Sequence, residues 1–197
     1  MASCEEIIKN YIKKRGVKRA SDVTELCLAN NGLIHFADLS GFQMLNYLWL
    51  NNNKIRDVSG LKHNHGITEL YLHDNQLTSV TGALNHLKSL QVLMLHNNQL
   101  TKLEKTISEL KGMQFLKTLS LFLNPLAQES PYRLYVIHHL PLLKMLDKKE
   151  IKQEEKDAAF SKYSPERFRI LQSIAFGKRV ESVVPNSQSR ALIQHGE

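Results

Sequence analysis

The chain has 197 residues, 42% hydrophobic and 23% charged, the balance of an ordinary soluble globular protein of about one domain. Its formal charge of +7 is mild for a nucleic-acid binder, so where the charge sits matters more than its total. Two cysteines, Cys4 and Cys27, are too few for a disulfide framework and fit a reducing compartment.

The opening stretch MASCEEIIKN has no basic region followed by an apolar run, so no signal peptide is read there. Ala2 excludes myristoylation, the ending IQHGE is no prenylation box, and no apolar run is long enough to span a membrane. The expected location is cytoplasmic, with the nucleus as alternative, and no membrane partner is expected. Residues 1–20 read as an N-terminal cap helix. Ser3 and Glu6 have the spacing of a capping box, Ile7, Ile8, Tyr11 and Ile12 share one face, and Gly16 is the stop. The same segment sets Lys9, Lys13, Lys14, Arg15, Lys18 and Arg19 against Glu5 and Glu6, a local charge of +4. That is either a solvated helix face or a patch for an acidic or nucleic-acid partner.

Residues 21–130 carry one pattern, LxxLxLxxNxL, five times. It reads VTELCLANNGL (23–33), LNYLWLNNNKI (45–55), ITELYLHDNQL (67–77), LQVLMLHNNQL (90–100) and LKTLSLFLNPL (116–126). The asparagines Asn31, Asn53, Asn75, Asn98 and Asn124 are spaced by 22, 22, 23 and 26 residues, the signature of a leucine-rich repeat. Within LxL the chain is a short strand and alternate side chains face opposite sides. Leu70 and Leu72 therefore point inward together, and Asn75 ends the strand by bonding backbone groups left open in the turn. Leu39, Phe42, Val58, Leu61, Val80, Leu84, Leu87, Leu103 and Leu110 supply the opposite wall. No repeat can bury its face alone, so the array folds as a unit and needs a cap at each end.

The C-terminal cap is read over 131–160. YRLYVIHHLPLLKMLD (132–147) places Tyr132, Arg133, Val136, Ile137, Leu140, Pro141, Leu143, Leu146 and Asp147 in the order YRxxVIxxLPxLxxLD. Together with the repeats, this motif resembles the SDS-type, 22-residue class of leucine-rich-repeat proteins over about residues 20–160. That class includes a phosphatase regulatory subunit, a spliceosomal A-prime subunit and several axonemal proteins of cilia and flagella, and the ciliary group is the narrower resemblance. The resemblance implies a non-enzymatic scaffold in a ciliary or axonemal setting, with phosphatase regulation or a place beside RNA as alternatives. The fold class is accordingly α/β, a right-handed leucine-rich-repeat solenoid with a parallel sheet on its concave face and helical caps. Residues 148–163 read as a charged helix that packs through Ile151, Ala158, Ala159 and Phe160. Residues 161–197 are read as a further helix, SPERFRILQSIAFG (164–177), and a flexible polar tail.

Strand alternation identifies the candidate site. Cys27, Trp49, Tyr71, Met94 and Ser120 lie between inward leucines and must face the concave side. Glu25, Tyr47, Glu69, Val92 and Thr118 form the column before them, and Ala29, Asn51, His73, His96 and Phe122 the column after. The predicted protein-binding surface is Tyr47, Trp49, Asn51, Glu69, Tyr71, His73, Val92, Met94, His96 and Phe122, an apolar cluster with a polar rim. A protein partner is expected there, with the chain as a monomer within a larger complex. The alternative is that the aromatics cover one another or that a C-terminal segment fills the groove. The concave columns contain Glu25 and Glu69 and no Lys or Arg, which argues against nucleic acid as a partner and leaves the basic N-terminal helix as the one place for it.

No phosphate loop, HExxH or G-x-S-x-G occurs, and Cys27 has no nearby histidine column, so no catalytic residue is assigned. His73 and His96 are close enough to share a zinc ion, but Asp74 is read as leaning toward the turn and no third ligand is evident. No metal and no cofactor are expected.

Overall fold

A computed structural model describes residues 3–164. The chain divides into a compact unit, residues 1–160, and a second unit, residues 161–197, of which only the first four residues are described. The expected helix after Ser164 and the tail beyond it lie outside the described residues.

Helix α1 (Cys4–Arg15) starts at the expected capping box: the Ser3 hydroxyl accepts from the Glu6 amide and the Glu6 carboxylate accepts from the Ser3 amide. Gly16 ends it in the left-handed conformation at φ 65°, which costs glycine nothing. Ile8 is buried, while Ile7, Tyr11 and Ile12 pack at the edge of the core. The Tyr11 hydroxyl donates to the Glu25 carbonyl (3.0 Å), tying the helix to the first strand.

Each LxL becomes a three-residue strand: β1 (Glu25–Cys27), β2 (Tyr47–Trp49), β3 (Glu69–Tyr71), β4 (Val92–Met94) and β5 (Thr118–Ser120). They pair in parallel, in chain order and without slip, so Leu26, Leu48, Leu70, Leu93 and Leu119 form one buried column. The opposite wall is irregular chain, short 3-10 turns and one regular helix, α2 (Leu103–Leu110). All nine apolar residues assigned to that wall are buried.

The asparagines hold the turns together. The Asn75 amide donates to the carbonyls of Leu50 (3.0 Å) and Leu72 (3.1 Å), and its oxygen accepts from the Ile55 amide (2.9 Å). Asn53, Asn98 and Asn124 repeat this arrangement, each bridging its own turn to the previous one. Asn31 differs: its exposed side chain donates to the nearby Ala29 carbonyl (2.8 Å), because the cap helix α1 rather than a repeat turn precedes it, and its own amide donates to Asn53 Oδ1 (3.1 Å). The residue before each of these asparagines has positive φ: Asn30, Asn52, Asp74, Asn97 and Leu123. Asn and Asp tolerate that conformation, which explains the NN and DN pairs in the repeats; leucine does not.

A second polar ladder joins the outer wall. Asn64 donates to the carbonyls of Leu39 (2.8 Å) and Phe42 (3.1 Å), and the buried Glu109 carboxylate accepts from the amides of Gly82, Leu84 and Asn85 (each 2.8 Å).

The C-terminal cap comprises α3 (Tyr132–His139), β6 (Met145–Leu146), β7 (Lys149–Glu150) and α4 (Gln153–Tyr163). Asp147 follows β6 directly and bonds the cap to the last repeat. Its Oδ1 accepts from the Leu121 and Phe122 amides, and its Oδ2 accepts from the Tyr132 hydroxyl (2.9 Å). Arg133 clasps Glu155 through two bonds (2.6 and 2.9 Å) and donates to the Leu146 and Glu150 carbonyls. That guanidinium holds the Glu155 carboxyl down at about 2. Two expectations change here. The charged helix does not begin at 148: Asp147 and Lys148 turn at positive φ, β7 folds back antiparallel on β6, and the Ile151 amide donates to the Lys144 carbonyl (2.8 Å). β7 thereby becomes the edge strand, two residues long and charged, which blunts the edge. Ile151 and Ala159 are buried as expected, but Phe160 is exposed and Ala158 with it.

Replacing Asn75 with Ala leaves the buried Ile55 amide without its acceptor, while the Leu50 and Leu72 carbonyls keep their bonds from Asn53 and Asn98; it should cost about 1–3 kcal/mol in urea unfolding, against a negligible change for Lys105→Ala on the exposed face of α2. Leu123→Asn places a tolerant residue at φ 55° and should stabilise the chain by about 1 kcal/mol in the same experiment.

Candidate functional site

The strand register places the three outward columns as the alternation requires. Tyr47 lies opposite Glu69, Trp49 opposite Tyr71, and Tyr71 opposite Met94. Trp49 is half-buried between two fully buried neighbours, Leu48 and Leu50, and therefore belongs to the surface column.

Six of the ring-bearing and ring-contacting side chains form one continuous run across the sheet. Tyr47 and Trp49 stack within β2 (centroids 6.1 Å, planes 15° apart), and Trp49 stacks on Tyr71 of β3 (5.6 Å, 12°). Tyr71 meets His73 edge-on (6.3 Å, 75°). His73 then stacks on His96 (4.5 Å, 10°) and His96 on Phe122 (4.4 Å, 8°). The Lys148 ammonium lies 4.9 Å from the centre of the Phe122 ring and closes the run. Strands about 4.8 Å apart bring equivalent side chains to stacking distance, so the rings turn their faces to each other and their edges outward.

Hydrogen bonds fix the orientation. The Tyr71 hydroxyl donates to Glu69 (2.6 Å), and burial together with that carboxylate pushes the phenol up to about 12. His96 Nδ1 bonds the hydroxyl of Ser120. Asp74 accepts from the Asn97 amide and lies 3.8 Å from His73 Nε2. Burial pushes both imidazoles below their ordinary range, more than the Asp74 charge raises them. Asn51 Oδ1 and His73 Nδ1 are buried with no hydrogen-bond partner.

An almost wholly apolar groove of about 240 Å³ opens between Tyr71, Met94, Ser120 and Met145, with Lys148 at its rim. Ser120, read as an outward residue, is buried, because His96 bonds it and β6 extends the sheet past it. Met145 and Lys148 were missed by the sequence reading. The signal was present: LKML (143–146) repeats LKTL (116–119), and Thr118 pairs with Met145. Asn51 and Val92 stand in the outer columns beside the ring run without joining it. The basic residues Lys9, Lys13, Lys14, Arg15, Lys18 and Arg19 are all exposed, and Arg15 reaches Glu25 at 3.4 Å beside β1.

A family model described as leucine-rich repeat matches residues 37–175. Human leucine-rich repeat-containing protein 23 is 32% identical over 110 residues, 56% of this chain and 32% of that protein. The U2 small nuclear ribonucleoprotein A′ of Candida albicans is 29% identical over 141 residues, 71% of this chain and 51% of that protein. The chain thus spans about a third to a half of these curated relatives. A chain in the crystal structure of the Drosophila melanogaster SNF/U2A′ complex superposes with a TM-score of 0.64 at 26% identity, over 76% of this chain and 87% of that one.

These likenesses bear out a non-catalytic interaction module and give no support to the narrower ciliary resemblance. They also correct two expectations. Nucleic acid was argued against as a partner, yet a relative is by name a ribonucleoprotein component. The basic residues of α1, the one place left for nucleic acid, are all exposed, so the acidic concave columns do not decide against such a partner. The cytoplasmic or axonemal location is overturned by the same relative, whose name places it in a small nuclear particle. No helix among the described residues is long and apolar enough to cross a membrane.

Trp49 is the only tryptophan, so its emission reports this surface directly. Replacing Tyr47 and Tyr71 together with Ala uncovers both ring faces, and should shift the emission to the red and increase quenching by acrylamide. An unchanged spectrum would contradict the stacking.

Proposed function

We propose that this chain, which belongs to the leucine-rich-repeat family, is a protein-binding subunit of a nuclear ribonucleoprotein assembly. Its concave sheet holds a protein partner, and the basic last turn of α1 faces the RNA of the same assembly. The observation that carries the reading is the ring run from Tyr47 to Phe122 with the apolar groove beside it. A surface of ring edges, Met94 and Met145, rimmed by Glu69 and Lys148, suits apolar anchors on a protein. It suits nucleic-acid bases less well, because base recognition on a sheet uses open ring faces, and these faces are taken.

RNA contact is assigned instead to Lys13, Lys14 and Arg15, which are exposed at the C-terminal end of α1. The likeness to the U2 small nuclear ribonucleoprotein A′ supports the particle, and the likeness to a chain of the SNF/U2A′ complex supports a partner within it.

Tagged full-length chain recovered from nuclear extract should bring down a protein partner and RNA together. Trp49→Ala with Tyr71→Ala should weaken recovery of the protein partner by at least about tenfold, the loss expected for paired hot-spot aromatics. Lys13, Lys14 and Arg15 replaced by Ala should leave the protein partner and reduce RNA in a salt-dependent way. Undiminished partner recovery by a folded Trp49/Tyr71 variant sinks the concave-face assignment, and wild-type complexes free of RNA sink the ribonucleoprotein assignment.

A further inference from the structure

The sequence shows two imidazoles in one column and no third ligand. The fold supplies the third. His73, Asp74 and His96 each offer a ligand atom, and the three atoms lie within 4.8 Å of one another. We propose that His73, Asp74 and His96 bind a single zinc-class divalent ion on the concave rim, as a site that needs no protein partner to form.

The donor set selects the class. Two imidazoles and one carboxylate suit zinc, cobalt, nickel or copper, whereas calcium and magnesium take oxygen donors. Three protein ligands leave at least one position for water or for a donor from a bound molecule.

The surroundings leave the right atoms available. His96 Nδ1 is engaged by the Ser120 hydroxyl, so the ring is held from behind and Nε2 remains. Ser120 is itself buried, which makes that support rigid. The Asn97 amide takes Asp74 Oδ1 and leaves Oδ2, 3.8 Å from His73 Nε2. His73 Nδ1 is buried and has no partner, so turning this ring breaks ring contacts with Tyr71 and His96 and no hydrogen bond at Nδ1. Zinc–nitrogen bonds of about 2.0–2.1 Å in a tetrahedron set ligand atoms about 3.4 Å apart. Closing the site therefore moves ligand atoms by about an ångström and unstacks His73 from His96, by side-chain rotation alone. The backbone need not move, since Asn75 and Asn98 fix the two turns that carry the ligands.

The ligands offset half of the ion's charge: Asp74 adds one negative charge and two metal-bound neutral imidazoles add none.

The test uses the full chain stripped with chelator and then titrated with zinc by calorimetry and with cobalt by visible absorption. One equivalent should bind, with a ligand-field band for cobalt. His73→Gln with His96→Gln should abolish both signals, and Asp74→Asn should weaken binding by at least about tenfold, the lower range for disturbing a metal site. His63→Gln with His65→Gln, in the loop after Leu61, should change nothing. The proposal is overturned by a wild-type chain that does not saturate, or by one equivalent surviving in the His73/His96 variant with native circular dichroism. Should that variant not fold, Asp74→Asn decides, because asparagine tolerates the backbone at φ 56°: an unchanged affinity overturns the site.

Discussion

Each buried asparagine amide bonds two turns of the chain at once, and the orientation of the other side chains in the compact unit follows from that. Nδ2 satisfies carbonyls of its own turn and the one before, while Oδ1 takes an amide from the one before. Glutamine would overshoot, and aspartate has no hydrogen to donate to the carbonyls. The chain uses that second property where it stops repeating. Asp147, which can only accept, takes two amides of the last repeat and the Tyr132 hydroxyl, and so bonds the final turn to the cap. The carbonyls it cannot reach are served from elsewhere: Arg133 donates to Leu146 and Glu150 and is itself neutralised by Glu155. The YR and LD of the cap motif are thus two halves of one hydrogen-bonded closure.

With the turns in register, the sheet has no freedom to slip, and its outer face becomes a lattice with fixed spacing. A spacing of about 4.8 Å is shorter than the width of an aromatic side chain lying flat, so neighbouring rings must stand and stack. The run from Tyr47 through Trp49, Tyr71, His73 and His96 to Phe122 is the consequence. Stacked rings lose rotamer freedom when the fold forms rather than when a partner arrives, which lowers the ordering cost of binding. The same packing covers ring faces and leaves edges, an arrangement that favours one kind of ligand over another before any partner is considered.

The inward and outward columns were legible because strand alternation is a hard geometric rule, and the repeat gave the phase. Trp49 could therefore be placed on the surface although its neighbours are leucines. What escaped depends on side-chain rotation or on long reach. Asp74 was read as leaning into the turn; its φ of 56° instead brings its carboxylate beside His73, and no periodicity encodes that. Glu109 looked like an ordinary helix charge, but its partners lie 24 to 27 residues earlier in the chain. Met145 and Lys148 were hidden by reading the cap as a motif with an end, when LKML carries the strand pattern one step further and the chain then turns back. Asn31 was grouped with the other asparagines by sequence, and only its place as the first of them separates it in structure.

The distribution of charge gives the two faces different chemistry. The outward columns of β1 to β5 carry no lysine or arginine, and Glu69 is engaged by Tyr71. The exposed cations of α1 end beside β1, where Arg15 meets Glu25. The exposed cations of α1 therefore offer an anionic polymer a track beside the first strand. Lys148, the cation at the far rim, is held over Phe122, where the ring spreads its charge across an apolar edge. In the proposed assembly, a protein on the sheet and RNA along α1 would meet at the β1 edge without competing for the same side chains. Raising the salt should then loosen the RNA and leave the protein in place, since one contact is made of exposed charges and the other of ring edges and sulfur.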